Sequence, residues 1–184
     1  MSRQTITLGG GCFWCLEAIF LRVQGVIAVE SGYCNGHLQA PSYEQVCQGD
    51  SGHVEVVRVT FDAEQISLAE LLEIFFHIHD PTTPGRQGND VGSQYRSGIY
   101  WHDTAQEAVA QEVRARADVE MSALLGRPVV TEVLQESNYW PAEAYHQDYF
   151  AQHPQQGYCA AVVAPKVEKF KRTFQARLKP SQEG

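Results

Sequence analysis

The run Gly9-Gly10-Gly11-Cys12-Phe13-Trp14-Cys15-Leu16-Glu17 constrains what this 184-residue chain can fold into more than any other stretch. Ahead of it, Gln4-Thr5-Ile6-Thr7-Leu8 alternates polar and apolar residues as a half-buried strand does. Behind it, Phe13, Leu16, Ile19, Phe20 and Val23 recur at helical spacing. The three glycines therefore turn a strand into a helix over 12–23, where the backbone passes close to another group. A cysteine at a helix start faces unpaired N–H groups and the positive end of the helix dipole. Both favour the thiolate, which is the reactive form. A nucleophilic sulfur followed by two aromatic side chains predicts cysteine chemistry on a small apolar group that carries sulfur or a carbonyl.

The length suits one well-buried core, and no linker, repeat or low-complexity segment divides the chain. Net charge is −8, from 14 basic and 22 acidic residues. An acidic balance argues against nucleic acid and anionic membranes as partners. The basic residues Lys166, Lys169, Lys171, Arg172 and Arg177, with Val167, Phe170 and Phe174 among them, read as the solvated face of an amphipathic helix. Met1-Ser2-Arg3-Gln4-Thr5 carries no apolar signal region, and no run approaches the roughly 18 apolar residues of a membrane span. The chain is expected in the cytoplasm. In that reducing compartment its five cysteines, Cys12, Cys15, Cys34, Cys47 and Cys159, are free, catalytic or transiently bonded rather than a structural framework.

Further strands are predicted at 26–33, 54–61, 95–101 and 129–134, with helices at 68–79, 104–125, 142–151 and 165–178. Residues 35–51 read as a polar loop. Residues 80–94 pack two prolines and three glycines into an irregular stretch of the functional kind. Helices and strands alternate without the uniformly apolar strands of a parallel sheet, so the fold class is α+β with a mixed sheet.

Cys12-Phe13-Trp14-Cys15 is compatible with a reducible dithiol, with a single nucleophile at Cys12, or with a cysteine packed into a core helix. A zinc site would need two more ligands, to be drawn from His53, His77 and His79. Glu55 stands alone in the apolar strand Gly52-His53-Val54-Glu55-Val56-Val57. A carboxyl there is either paired or kept protonated by desolvation. Tyr43 and Tyr95 flank polar loops and serve as packing residues or as hydroxyl donors.

In order and separation these segments resemble the motifs of the A-type peptide methionine sulfoxide reductases. The segments are Gly11-Cys12-Phe13-Trp14, Tyr43-Glu44-Gln45-Val46-Cys47, Gly52-His53-Val54-Glu55, His79-Asp80-Pro81-Thr82-Thr83, Gly88 to Ser97, and Tyr145-His146-Gln147-Asp148-Tyr149. The likeness covers about 8–174. It implies a ferredoxin-like two-layer α/β sandwich with additional loops, forming one catalytic domain over 1–184 with its core at about 4–178. It further implies that Cys12 attacks the sulfur of methionine S-sulfoxide, protein-bound or free, in a pocket formed by Phe13 and Trp14. Glu55 would protonate the departing oxygen, Tyr43 and Tyr95 would hydrogen-bond it, and Asp90 would order the polar side. Cys159, or alternatively Cys15, would resolve the Cys12 sulfenic acid as a disulfide that thioredoxin or a dithiol reduces. No metal or organic cofactor is implied, and the chain is expected to be a monomer. Cys47 reads as structural, and Cys34 has no assigned role.

Overall fold

A computed structural model describes residues 2–180. Met1 in the N-terminal reading, and positions 1 and 181–184 of the expected domain, lie outside the described residues. Strand β1 (Arg3–Gly9) leads through the glycine turn into helix α1 (Phe13–Phe20). Then follow β2 (Val26–Cys34), α2 (Tyr43–Cys47), β3 (Val54–Asp62) and α3 (Leu68–Ile78). A short hairpin, β4 (Arg86–Gln87) and β5 (Asp90–Val91), precedes β6 (Gly98–Trp101) and the long α4 (Thr104–Leu125). The chain continues through β7 (Glu132–Gln135), β8 (Trp140–Pro141), α5 (Tyr149–Gln152) and α6 (Ala164–Thr173).

The larger sheet is mixed, in the order β7-β6-β1-β3-β2-β8. Among the described residues, β6 and β7 pair in parallel and the other neighbours in this sheet are antiparallel. The α+β architecture expected from the sequence is therefore present. Strand alternation sorts β3 into two faces. Val57, Val59 and Phe61 point into the main core with Ile6 and Leu8 of β1 and the apolar sides of α1, α3, α4 and α6. Glu55 shares their parity and faces the same layer. Val54 and Val56 face the other way, where they seal Cys34 against Tyr100. Cys34 is thus a packing residue on the reverse face of the sheet.

Helix ends follow local chemistry. Ser67 and Glu70 close a reciprocal capping box at the start of α3. Asp103 caps α4 by accepting from the Gln106 N–H at 2.9 Å, and Gly126 ends it in the left-handed conformation.

Several boundaries move. The first helix is shorter than 12–23, and Cys12 is its N-cap. The stretch 35–51 contains α2, nucleated by a capping box between Ser42 and Gln45. Residues 93–95 form a 3-10 turn, so the strand expected at 95–101 begins only at Gly98. The strand expected at 129–134 runs from Glu132 to Gln135. The helix expected at 142–151 is broken by Asp148, whose φ of 54° is left-handed. The helix expected at 165–178 gives way to a π-helical turn (Cys159–Val163), then α6, then a 3-10 turn (Gln175–Arg177).

Candidate active site

The glycine turn sets Cys12 in place. Gly11 has φ +93°, and a Cβ there would lie 2.7 Å from Cγ of Gln87. A Cβ on Gly10 would sit 3.0 Å from the ring of His79. Both neighbours are themselves held. Gln87 donates to the Asp80 carbonyl at 2.9 Å and accepts the Asp80 N–H at 2.8 Å. His79 donates from Nδ1 to the Phe75 carbonyl at 2.6 Å and accepts from the Ser97 hydroxyl at Nε2, 2.7 Å away. Burial pushes this imidazole down to about 4, so it stays neutral.

Cys12 opens onto a small cavity of about 160 Å³ that is also lined by Trp14, Tyr43, Asp90, Tyr95 and Tyr158. Glu55, 1 % exposed, does not line the cavity; it is tied to the residue after Cys12, because its Oε1 accepts the Phe13 N–H at 3.2 Å. Its Oε2 is buried with no hydrogen-bond partner. Burial pushes this carboxyl up to about 8; the Phe13 N–H pulls it down and Asp90 adds to the rise. Near neutral pH, Glu55 therefore carries a proton. Desolvation also keeps the hydroxyls of Tyr43, Tyr95 and Tyr158 protonated, as hydrogen-bond donors. The Tyr158 hydroxyl donates to Oδ2 of Asp90 at 2.5 Å.

The thiolate expected from the helix position is not the resting state. The Trp14 N–H does favour the anion at Cys12, but burial outweighs it, and Glu55, Cys15 and Asp90 add repulsion. A helix terminus supplies about 0.3–2 kcal/mol, whereas full desolvation shifts a group by as much as about 3–5 pKa units, so the thiol form wins. Protonation of Glu55 removes one of the opposing charges.

The remaining residues fall into place unevenly. Phe13 does not line the open cavity; it is wholly buried, with its ring 6.4 Å from that of the cavity residue Tyr43. All five cysteines are free thiols. Cys15 lies one turn along α1 and is buried, its thiol pushed up to about 11 by desolvation against the opposing pull of Lys166 and Tyr158. Cys159 is wholly buried in the core and does not line the cavity, although its neighbour Tyr158 does. Cys47, read as structural, is exposed at the end of α2 and faces Tyr43. The histidines weighed as zinc ligands are engaged elsewhere: His53 with the Leu38 carbonyl, His77 with Glu73 and Glu120, and His79 as above. Among the described residues no group of three or more His, Cys, Asp or Glu could hold a metal ion.

Sequence reasoning missed Tyr158 as a cavity wall. It also missed Glu143, which accepts from the Tyr33 hydroxyl and the Tyr43 N–H, both at 2.9 Å, and so ties β2 to the start of α2. Adjacency to Cys159 was the only signal for the first, and nothing in the sequence marked the second.

The comparisons with known proteins agree. The family described as Peptide methionine sulfoxide reductase matches residues 4–178. A peptide methionine sulfoxide reductase MsrA of Polynucleobacter asymbioticus is 53% identical over 174 residues, covering 95% of this chain and 90% of its own. Methionine sulfoxide reductase A of Corynebacterium diphtheriae superposes with a TM-score of 0.81 at 34% identity, over 87% of this chain and 79% of that one. Mxr1 of Saccharomyces cerevisiae in reduced form gives 0.74 at 36% identity, over 86% and 90%. The same yeast protein in complex with Trx2 gives 0.52 at 27%, over 80% and 85%. With a matched region that runs through nearly every element and includes the whole cavity, the chain belongs to the peptide methionine sulfoxide reductase family.

Proposed function

We propose that this enzyme reduces the S epimer of methionine sulfoxide, free or within oxidised proteins, to methionine. One observation carries the reading: a cysteine thiol opens onto a small aromatic cavity, and the N–H of the next residue is held by a buried, protonated carboxyl whose second oxygen has no partner. The sulfoxide methyl group lies against Trp14, with Phe13 beneath, and its oxygen takes hydrogen bonds from Tyr43, Tyr95 and Glu55. Asp90 and its partner Tyr158 order the polar side.

The Cys12 sulfur attacks the sulfoxide sulfur and Glu55 protonates the oxygen, so that an S–S bond forms as the S–O bond breaks; the released hydroxide then attacks the Cys12 sulfur, breaking that S–S bond and freeing methionine. The net change is methionine sulfoxide plus Cys12 thiol giving methionine plus Cys12 sulfenic acid; the thiol proton restores the carboxyl. Cys159 then condenses with the sulfenic acid, releasing water and leaving a Cys12–Cys159 disulfide. Its burial requires the π-helical turn to open first, and Cys15, already one turn from Cys12, is the alternative resolver. Thiol–disulfide exchange with thioredoxin or a dithiol restores both thiols. The yeast relative solved with Trx2 supports that partner. The scheme uses no metal or organic cofactor.

The chain acts as a monomer in the cytoplasm, as one catalytic domain over 1–184 with its core at about 4–178, built as a ferredoxin-like two-layer sandwich. Among the described residues no helix is long and apolar enough to cross a membrane. The acidic charge disfavours nucleic acid.

Separated R and S epimers of methionine sulfoxide, each incubated with enzyme and a dithiol, test the reading. Consumption of S alone supports it. Consumption of R, or of neither, overturns it.

A further inference from the structure

The basic residues of the last helix do not all serve as a solvated face. Lys171 pairs with Glu168 at 3.8 Å, and Arg177, beyond α6, pairs with Glu70 at 3.2 Å. Lys166 and Lys169, one turn apart on α6, have no ion-pair or hydrogen-bond partner among the described residues. Both line a cavity of about 420 Å³ between α6 and the ends of α3 and α4. Its apolar wall is Ile78, Leu125, Phe170 and Phe174, with the two phenylalanine rings 5.7 Å apart. A volume within roughly 300–1,000 Å³, a mostly apolar lining and a few convergent polar groups are the usual make-up of a small-molecule site.

The charge left over in this cavity has one sign. Among the described lining residues the one carboxylate is Asp80, and it is already used. Its Oδ1 accepts from the N–H and hydroxyl of Thr82, and its Oδ2 accepts from Arg127 at 3.1 Å. His77 is held by the Glu73 carbonyl and by Glu120. Lys166 is only partly exposed, and its charge reaches inward. Burial dominates the titration of His79 and Cys15, and the Lys166 ammonium acts on both, favouring the neutral imidazole and the thiolate. A cation held against an apolar wall without a counter-charge is compensated by a bound anion.

The same cavity backs onto the turn that seats Cys12. His79 and Gln87 line it, and both press on the glycines. A Cβ on Gly10 would lie 3.0 Å from the His79 ring, and one on Gly11 would lie 2.7 Å from Cγ of Gln87. No slack separates the cavity wall from the turn.

We propose that this cavity is a second binding site, for a small organic anion consisting of a carboxylate on an aliphatic or aromatic body, and that its occupation is felt at Gly10 and Gly11 through His79 and Gln87. The carboxylate sits between Lys166 and Lys169, and the body lies on Phe170, Phe174, Ile78 and Leu125. Two point charges one helical turn apart match one carboxylate, and the apolar wall adds affinity that an inorganic anion cannot gain.

Octanoate is a suitable probe, with 1-octanol as its uncharged control. Titrated into the wild-type protein and followed in ¹H–¹⁵N spectra, octanoate should move the Gly10 and Gly11 amides and the Gln87 side-chain amide along one saturable curve. Octanol should bind at least tenfold more weakly. The double variant Lys166→Gln/Lys169→Gln should weaken octanoate about tenfold, the size of a lost charged hydrogen bond, and leave octanol unchanged. Absence of saturable binding, equal affinity for octanoate and octanol, or an unaltered octanoate affinity in the double variant would overturn the proposal. So would shifts that bypass Gly10 and Gly11, or tighter binding of a glutamate-rich peptide than of octanoate. The comparison of octanoate with octanol needs only the wild-type protein, so it decides even if the double variant does not fold.

Discussion

The backbone N–H of Phe13 donates to Oε1 of Glu55 at 3.2 Å, joining the first residue of α1 to the second residue of β3. One carboxyl oxygen is thereby occupied, and the proton is left to Oε2, which has no other partner. Burial holds this proton up to about 8. In the proposed mechanism the acid form is the active one, so kcat/KM should fall as pH rises through about 8. Glu55→Gln should remove that limb of the pH profile and lower the rate by about 10²–10⁴-fold, the usual contribution of a general acid. A limb that persists in Glu55→Gln belongs to another group. The stability effect has the same sign. A carboxyl raised from 4.5 to about 8 on folding contributes most below 4.5, and that contribution is lost as pH rises through about 8.

Cys12 and Cys159 should separate the two halves of the cycle. Cys12→Ser is expected to abolish methionine release altogether. Cys159→Ser should still release about one equivalent of methionine per enzyme, since sulfenic acid formation needs only the first thiol. It should then fail to turn over with thioredoxin. Quantifying methionine in the absence and presence of reductant checks both. Normal recycling by Cys159→Ser would transfer the resolving role to Cys15.

Tyr43 and Tyr95 line the cavity with hydroxyls that burial keeps protonated. In the proposed mechanism both donate to one developing charge, and such donors act in the transition state more than in the bound state. Tyr43→Phe and Tyr95→Phe should each lower kcat by about 10–10²-fold with little change in KM. Steady-state kinetics below pH 8 measure this. A change confined to KM would mean that the hydroxyls bind the ground state only.

Glu17 is a second buried carboxyl, 2 % exposed, that accepts from the Ser31 hydroxyl at 3.2 Å. Desolvation raises it to about 7, and the backbone N–H groups of Asp148 and Tyr149 pull the other way. It ties α1 to the segment that stacks Tyr149 on Trp14. Its folded value lies above the unfolded 4.5, so stability is lost as pH rises through about 7. The melting midpoint of Glu17→Gln should therefore fall less than that of the wild type on going from about pH 6 to pH 8. Parallel curves for the two proteins would exclude Glu17 as the titrating group.

The parts of the site that were legible in the sequence share one property: a local rule fixes them. Glu55 is visible because it is the carboxylate that interrupts the apolar stretch Val54-Glu55-Val56-Val57, and strand alternation then gives its face. Cys12 is visible because three glycines precede it. Helix α4 is legible to the residue because Asp103 and Gly126 mark both ends. What failed depends on distant partners. The ionisation of Cys12 is decided by how much protein covers it, which no spacing reveals. Cys34 and Cys47 differ in burial because β2 pairs Cys34 with Val54 on the sealed face, whereas α2 carries Cys47 outward. Pro165 has no N–H for the carbonyl four residues back, at Ala161, so a regular helix does not run through from Cys159. The capping box at Ser42 and Gln45 starts α2 within a stretch whose glycines and proline read as a loop.

Gly11 should be the least replaceable residue of the turn. At φ +93° an alanine is strained by roughly 1–2 kcal/mol whatever the space around it. Space is also lacking, because the new methyl would meet Cγ and Cβ of Gln87 at 2.7 and 2.9 Å. Gln87 cannot retreat without giving up the Asp80 N–H and carbonyl, and it belongs to the hairpin that also carries Asp90 into the cavity. Gly11→Ala should therefore lower stability by about 2–4 kcal/mol, the sum of backbone strain and one or two broken hydrogen bonds. Activity should fall further than the folded fraction accounts for, because the displaced hairpin moves Asp90 and the turn moves Cys12. Denaturant unfolding and single-turnover methionine release, measured on the same preparation, separate the two losses. A variant that is destabilised but fully active per folded molecule would show that the turn serves the fold alone.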